Sequence, residues 1–253
     1  MTIAGLGLVG GSLARALTRA GCHVTGVDRA PIRRRARAAR AIAAAAGSLE
    51  AGMVAADIVV LAASPVANLR LLRRLARVAP PTLVVTDVSS VKSRICREAR
   101  RLRLGSFVGG HPMAGGTARG FAASSPDLFR GRPWILAPAA SPEAARVVRA
   151  LVRAVGARPV TIDPESHDSA MAFLSHAPQV VAWALDAAAR GDAVARRHLV
   201  VAGPGFRDMT RLATSPRPLW GEILAENRAQ VGRALRSILD RISRERRKRV
   251  ALD

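Results

Sequence analysis

Ile3-Ala4-Gly5-Leu6-Gly7-Leu8-Val9-Gly10-Gly11 is the stretch that decides the fold. A short apolar run ends at Gly5, a helical pattern starts near Gly11, and between them the glycines stand as Gly5-x-Gly7-x-x-Gly10. In that context the first glycine permits a tight turn, the second lets backbone approach a pyrophosphate, and the third allows helix to pack closely on strand. Gly5, Leu6, Gly7, Leu8, Val9 and Gly10 are therefore the expected cradle of a dinucleotide, its phosphates facing the free amides of the helix start. Asp28, at the end of the next apolar run, is placed to accept hydrogen bonds from an adenosine ribose and to repel a 2′-phosphate, which selects NAD. Arg29 follows it and Arg33 lies close, so NADP stays as the alternative if Asp28 turns away.

Outward from this loop, short β-rich runs alternate with helical patterns. The runs are Thr2–Ala4, Val24–Val27, Ile58–Ala62, Leu83–Thr86, Phe107–Gly109, Trp134–Leu136 and Pro159–Ile162. Helices are expected over Gly11–Ala20, Pro31–Ala46, Ala67–Val78, Val91–Leu102 and Pro142–Val155. Such alternation specifies a doubly wound parallel sheet with helices on both faces. Leu69, Leu72, Leu75 and Val78 have the spacing of a sheet-covering stripe. After Asp163-Pro164-Glu165 the strand signals stop and Ala-, Leu- and Val-rich helical segments take over. The fold class is α/β, a Rossmann-like domain over residues 1–162 followed by an all-α domain over 163–253. A helical bundle this small has a poor surface-to-volume ratio, so docking on a neighbour or a second copy is expected.

Composition bounds the function. The chain has 253 residues, is 49% hydrophobic and carries a net charge of +22, with Lys92 and Lys248 the only lysines among 40 basic side chains. A field this positive attracts nucleic acid, but equally a dinucleotide or a small polycarboxylate. Apart from Arg244–Arg249 the charge is dispersed, so a nucleic-acid role is not expected. Two cysteines, Cys22 and Cys96, fit a reducing compartment and give no metal spacing, so no metal is expected. Nothing approaches the length of a membrane span or has the form of a signal peptide, and a cytoplasmic protein is expected.

A second loop, Ala62-Ala63-Ser64-Pro65-Val66, is expected to cross the cofactor. Ser64 reads equally as the N-cap of the following helix. Further on, Asp87-Val88-Ser89-Ser90-Val91-Lys92, then His111-Pro112-Met113-Ala114-Gly115, then Gly203-Pro204-Gly205-Phe206-Arg207-Asp208 with Arg211 are expected to converge on the nicotinamide. An imidazole one domain's length after the glycine loop suggests hydride transfer assisted by a histidine. On its own His111 reads equally as a turn residue before a proline. Ser90 has the alternative of capping the Val91 helix, and Lys92 reads as a surface charge.

With these segments in this order, the chain resembles the prephenate and arogenate dehydrogenase family from Ile3 to about Asn227. The resemblance includes Gly120-Phe121, Asp127-Leu128-Phe129 and Trp134-Ile135-Leu136. It implies oxidative decarboxylation of prephenate with hydride transfer to NAD, or of arogenate or an amino-substituted relative, by a homodimer acting on a small dicarboxylate. It implies that His111 accepts a hydrogen bond or proton from the ring hydroxyl and that Ser90 bonds the same hydroxyl. Arg211 would clamp the ring carboxylate, a task suited to a planar guanidinium, with Asp208 orienting it. Ser175, His176 and Gln179 fall in the family's Ser-His-x-Pro segment, with Gln179 where a second histidine is usual. Thr117 stands where many relatives have glutamate, and Pro204 replaces a usual glycine. His167-Asp168 matches a family pair and reads as a structural helix start, while Trp220 and Asn227 match by packing. No regulatory module is expected beyond the helical region. Another Rossmann dehydrogenase would place a lysine in the second domain, where none precedes Lys248. The remaining rival is a noncatalytic NAD- or nucleic-acid-binding protein.

Overall fold

The computed structural model describes residues 1–116 and 118–250, with side chains up to Arg247. Two compact units result, Met1–His167 and a second from Asp168 onward. The first unit starts with β1 (Thr2–Ala4), α1 (Leu8–Arg19), β2 (Thr25–Val27), α2 (Ala30–Ala38), β3 (Ala44–Ala46) and α3 (Leu49–Met53). It continues through β4 (Ile58–Leu61), α4 (Pro65–Val78), β5 (Val84–Asp87), α5 (Ser93–Arg101) and β6 (Phe107–Val108). These six strands form one parallel sheet in the order β3-β2-β1-β4-β5-β6.

Alternation along each strand buries both faces. Ile3, Val60 and Val84 point into a core with Leu13, Leu17, Phe129 and Trp134, while Ala4, Leu61 and Val85 point into another with Leu72, Leu75 and Ile95. Each fully buried leucine contributes about 1.5–3 kcal/mol of transfer free energy. The strand order reverses between β1 and β4, and in open α/β sheets the crevice outside the carboxyl ends at that reversal is where ligands bind. The Gly5 loop, the Ala62–Ser64 loop and Asp87 all lie at carboxyl ends of these neighbouring strands.

Three features depart from the sequence reading. The helix expected over Pro31–Ala46 stops at Ala38, because Arg40 adopts a left-handed conformation (φ 51°) and Ala41 N bonds back to Ala36 O. Ala44–Ala46 then pairs as an edge strand with β2. The Trp134 and Pro159 runs do not join the doubly wound sheet. They form β8 (Pro133–Leu136) and β9 (Arg158–Thr161), in a separate sheet ordered β7-β8-β9 whose first strand, β7 (Gly110–Pro112), pairs antiparallel with β8. The chain leaves one sheet for the other at Gly109 and Gly110, where an added Cβ would lie 2.6 Å from Cys96 Sγ and from Asp87 O respectively. The third departure is Val78, exposed at the end of the α4 stripe while Leu69, Leu72 and Leu75 are buried. α6 (Pro142–Ala154), capped by Ser141, links β8 to β9, and α7 (Pro164–Met171) follows.

Among the described residues the second unit has helices and turns but no strand. A π-helical turn, Ala172–His176, leads into α8 (Ala177–Gly191), then α9 (Ala193–Arg197), α10 (Pro204–Thr210), α11 (Arg217–Glu226) and the long α12 (Arg228–Val250). Its small core of Ala172, Ala177, Val231 and Ala234 is flanked by Val180, Leu224, Leu235 and Ile238. Among the described residues no helix is long and apolar enough to cross a membrane.

Candidate active site

The glycine loop is built for close approach. Gly5 takes φ +101°, and a Cβ there would lie 2.6 Å from the Ala62 carbonyl carbon; a Cβ on Gly10 would collide with Gly5 O. Gly7, by contrast, has open space where its side chain would be. It is the N-cap of α1, without a side-chain cap and without an acidic residue in the first turn. The amides around Leu8 and Val9 therefore carry uncompensated partial positive charge toward that space.

Leu6 is a correction. It is fully enclosed, its side chain lies in the core, and its amide donates to Asp28 Oδ2 at 2.7 Å, so it holds the acidic residue in place without facing a ligand. The other oxygen of Asp28 accepts from Arg29 N at 2.6 Å. Both bonds fix the half-buried carboxylate at the carboxyl end of β2, while Arg29 is exposed as the N-cap of α2. Ser64 caps α4 through Ala67 N, with Pro65 buried in the first turn. Behind them sits Asn68, which the sequence reading missed. Its Oδ1 accepts from Ala63 N at 3.0 Å, and its Nδ2 donates to Leu61 O at 3.2 Å and to Ser89 Oγ at 2.9 Å. One buried amide thus joins the loops after β4 and β5.

Asp87 and Lys92 differ most from expectation. Both side chains are 0% exposed and paired at 2.6 Å. Lys92 is no surface charge: its Nζ also donates to Gly110 O at 2.7 Å. Asp87 Oδ1 accepts from Gly110 N at 3.0 Å and Oδ2 from Ser89 N at 2.9 Å. With its carboxylate spent on these donors, Asp87 supports neighbouring backbone and presents no atom to a cofactor. Ser90 is half-buried and caps nothing, since α5 starts at Ser93 with Lys92 as its N-cap.

His111 lies in β7 opposite Ile135, 8% exposed. Its Nδ1 is 2.9 Å from Nε2 of His167, a fully buried residue of α7, and the rings meet edge to face at 68°. His167 is therefore more than a helix start: one nitrogen of this contact must donate and the other accept, which ties the two tautomers together.

In the second unit, His176 is fully buried, and its Nδ1 accepts from Asn227 Nδ2 at 3.0 Å while the same amide donates to Asp168 O at 2.7 Å. Trp220 meets the His176 ring edge-on at 5.9 Å. Asn227 and Trp220 thus do pack, as expected, but around a histidine. Gln179 Nε2 donates to Leu212 O at 2.7 Å, whereas its buried Oε1 has no partner among the described residues. Ser175 is half-buried in the π-helical turn. Asp208 and Arg211 are both exposed, with no ion pair between them among the described residues, so Asp208 does not orient Arg211 here. α10 ends at Thr210, and Arg211 begins a 3-10 turn. Thr117 lies outside the described residues.

A parallel sheet with a glycine cradle at its reversal point, followed by a separate helical unit, defines a Rossmann-type nucleotide-binding protein of two domains. The chain belongs to the prephenate dehydrogenase family: residues 13–161 match its nucleotide-binding domain and residues 163–248 its dimerization domain. A prephenate dehydrogenase of Lactococcus lactis is 32% identical over 89% of this chain and 64% of its own length. The chain thus spans just under two thirds of that curated relative. Among solved structures, a prephenate dehydrogenase from A. aeolicus in complex with hydroxyphenyl propionate and NAD+ is 28% identical with a TM-score of 0.91, covering 100% of this chain and 91% of that one. Synechocystis arogenate dehydrogenase is 30% identical with a TM-score of 0.83, covering 96% of this chain and 89% of that one.

Proposed function

We propose that this chain catalyses NAD-dependent oxidative decarboxylation of prephenate to 4-hydroxyphenylpyruvate, a step toward tyrosine, as a cytoplasmic homodimer. One observation carries the reading: a buried imidazole, His111, whose Nδ1 is engaged by a second histidine, in the same unit as a glycine turn whose Gly7 opens onto free space at the start of α1. The cradle fits a dinucleotide. Gly5, Gly7 and Gly10 with the Leu8 and Val9 amides would hold its pyrophosphate, Asp28 its ribose, and Ser64 with Pro65 would flank it. NAD, when bound, supplies the hydride acceptor.

If His111 donates from Nδ1 to His167, its Nε2 carries the lone pair that a substrate hydroxyl needs. Nε2 then holds the ring hydroxyl proton while C4 loses hydride, and returns it as carbon dioxide leaves C1 and the phenol forms. Ser90 shares the hydroxyl. Arg211 takes the ring carboxylate, with Asp208, Ser175 and His176 as further substrate-binding groups of the helical unit. Aromatisation makes the overall step downhill, and the protein's part is to position the reacting carbon and exclude water. A second copy of the chain covers the exposed Leu174, Val200, Val201, Leu239 and Ile242 of the helical unit.

A second reading, arogenate as substrate, is favoured by Gln179. Its amide is anchored through Nε2, so the unpartnered Oε1 is an acceptor that a substrate ammonium would satisfy and a ketone would not. Purified protein assayed with prephenate, arogenate and 4-amino-4-deoxyprephenate, each with NAD and NADP, separates these readings. Prephenate with NAD is expected to give NADH, carbon dioxide and 4-hydroxyphenylpyruvate in equal amounts. Turnover confined to arogenate supports the second reading. NAD binding without turnover of any of the three overturns both.

A further inference from the structure

The Lys92–Asp87 pair encloses the residue that precedes His111. Both backbone polar groups of Gly110 end on it, the carbonyl on Lys92 Nζ at 2.7 Å and the amide on Asp87 Oδ1 at 3.0 Å. No side chain fits between, because a Cβ on Gly110 would lie 2.6 Å from Asp87 O. β7 is only three residues long and is the outer strand of its sheet, so His111 has ladder partners on one side alone, in β8. On the other side, the ion pair takes the place of a neighbouring strand.

Burying both charges is costly, and an apolar pair of similar volume would hold a core at least as well. A merely structural contact does not require that cost. The carboxylate also accepts from Ser89 N, and Ser89 Oγ accepts from Asn68, whose Oδ1 holds Ala63 N in the loop expected to cross the cofactor. The same cluster therefore touches the backbone next to the imidazole and, through three hydrogen bonds in series, the backbone of the nucleotide crevice.

We infer that Lys92 and Asp87 are positioning residues which fix the His111 imidazole relative to the nucleotide crevice. This rests on the proposal that His111 faces the substrate hydroxyl. Lys92 does not touch substrate or exchange a proton with it. It acts by pinning the Gly110 peptide, so its loss loosens the ring's placement and leaves the binding groups in place.

Lys92→Met alone leaves a buried carboxylate uncompensated and is expected to fold poorly, so the decisive variant is the neutral pair Asp87→Asn with Lys92→Met. It is expected to keep NAD affinity and KM within about twofold of the unaltered protein. Its kcat is expected to fall roughly ten- to a hundredfold, the scale of an ångström-level misplacement. The 15N-edited ring signals of His111, assigned by comparison with His111→Asn, are expected to shift or broaden. Unchanged kcat and ring signals overturn the inference. So does a loss of kcat matched by equal losses in NAD affinity and KM, as general destabilisation would give. If the unaltered protein turns over none of the ring substrates, the functional reading fails, and the His111 ring signals alone decide the positioning role.

Discussion

Nδ1 of His111 and Nε2 of His167 stand 2.9 Å apart, although 56 residues separate them in the chain and both rings are buried. The contact lies within the first compact unit, between the edge strand β7 and the first turn of α7. It makes one imidazole the orienting partner of the other, so the tautomers of the two are tied together and a change at residue 167 would alter that of His111.

His167→Phe, which keeps an aromatic ring and removes the acceptor, is expected to lower kcat about tenfold, the rate equivalent of one such hydrogen bond. KM and NAD affinity should stay close to their original values. His167→Gln, with a carbonyl able to accept, should recover part of the loss. Steady-state kinetics of the three proteins check this, and a rise in KM without a change in kcat would argue against it.

Gly5 and Gly7 should respond differently to the same methyl group. Gly5→Ala places a Cβ against the Ala62 backbone at a positive φ, which costs about 1–2 kcal/mol in backbone strain before the clash. Thermal denaturation should show a clear loss of stability. Gly7→Ala meets no protein atom within 4 Å, so stability should stay within about 1 kcal/mol while NAD affinity falls, because the methyl occupies the space we propose for phosphate. Calorimetric titration with NAD separates the two effects.

The contrast between these glycines and the buried ion pair shows what a sequence can carry. The glycine loop, Asp28 and the helical second unit are legible because their signals are local: a turn, a spacing, a period. β7 is not, since Gly-His-Pro has no strand propensity and forms a strand only because β8 offers partners. The all-alanine strand Ala44–Ala46 was hidden for a similar reason, since alanine favours helix until Arg40 turns the chain. Lys92 looks like any surface charge until Asp87 and Gly110 are brought to it. Gln179 was picked out by resemblance alone, and only the folded chain shows that one end of its amide is anchored and the other unpartnered.

Acid should test the packing of α4 on α5. Hydrogen bonds from Arg101, and next from Arg73, hold the Glu98 carboxyl down from 4.5 to about 2. A lowered folded-state value means that the stabilisation is fully present above about pH 4.5 and is lost as pH falls through 2. Both arginines are largely exposed, so solvent screening limits the contribution to about 1 kcal/mol. Glu98→Gln should be less stable by that amount at neutral pH, and the difference should shrink between pH 4.5 and 2. Urea denaturation across that range measures it.

The central claim is that His111 acts on the reacting hydroxyl of the substrate. The direct measurement is kcat and KM for His111→Asn with prephenate and NAD, alongside NAD affinity and melting temperature as controls. The account predicts a fall in kcat of about a hundredfold or more with KM, NAD affinity and melting temperature little changed, as expected on removing a general base. Unaltered kcat, or a rise in KM matched by no loss of kcat, would contradict it.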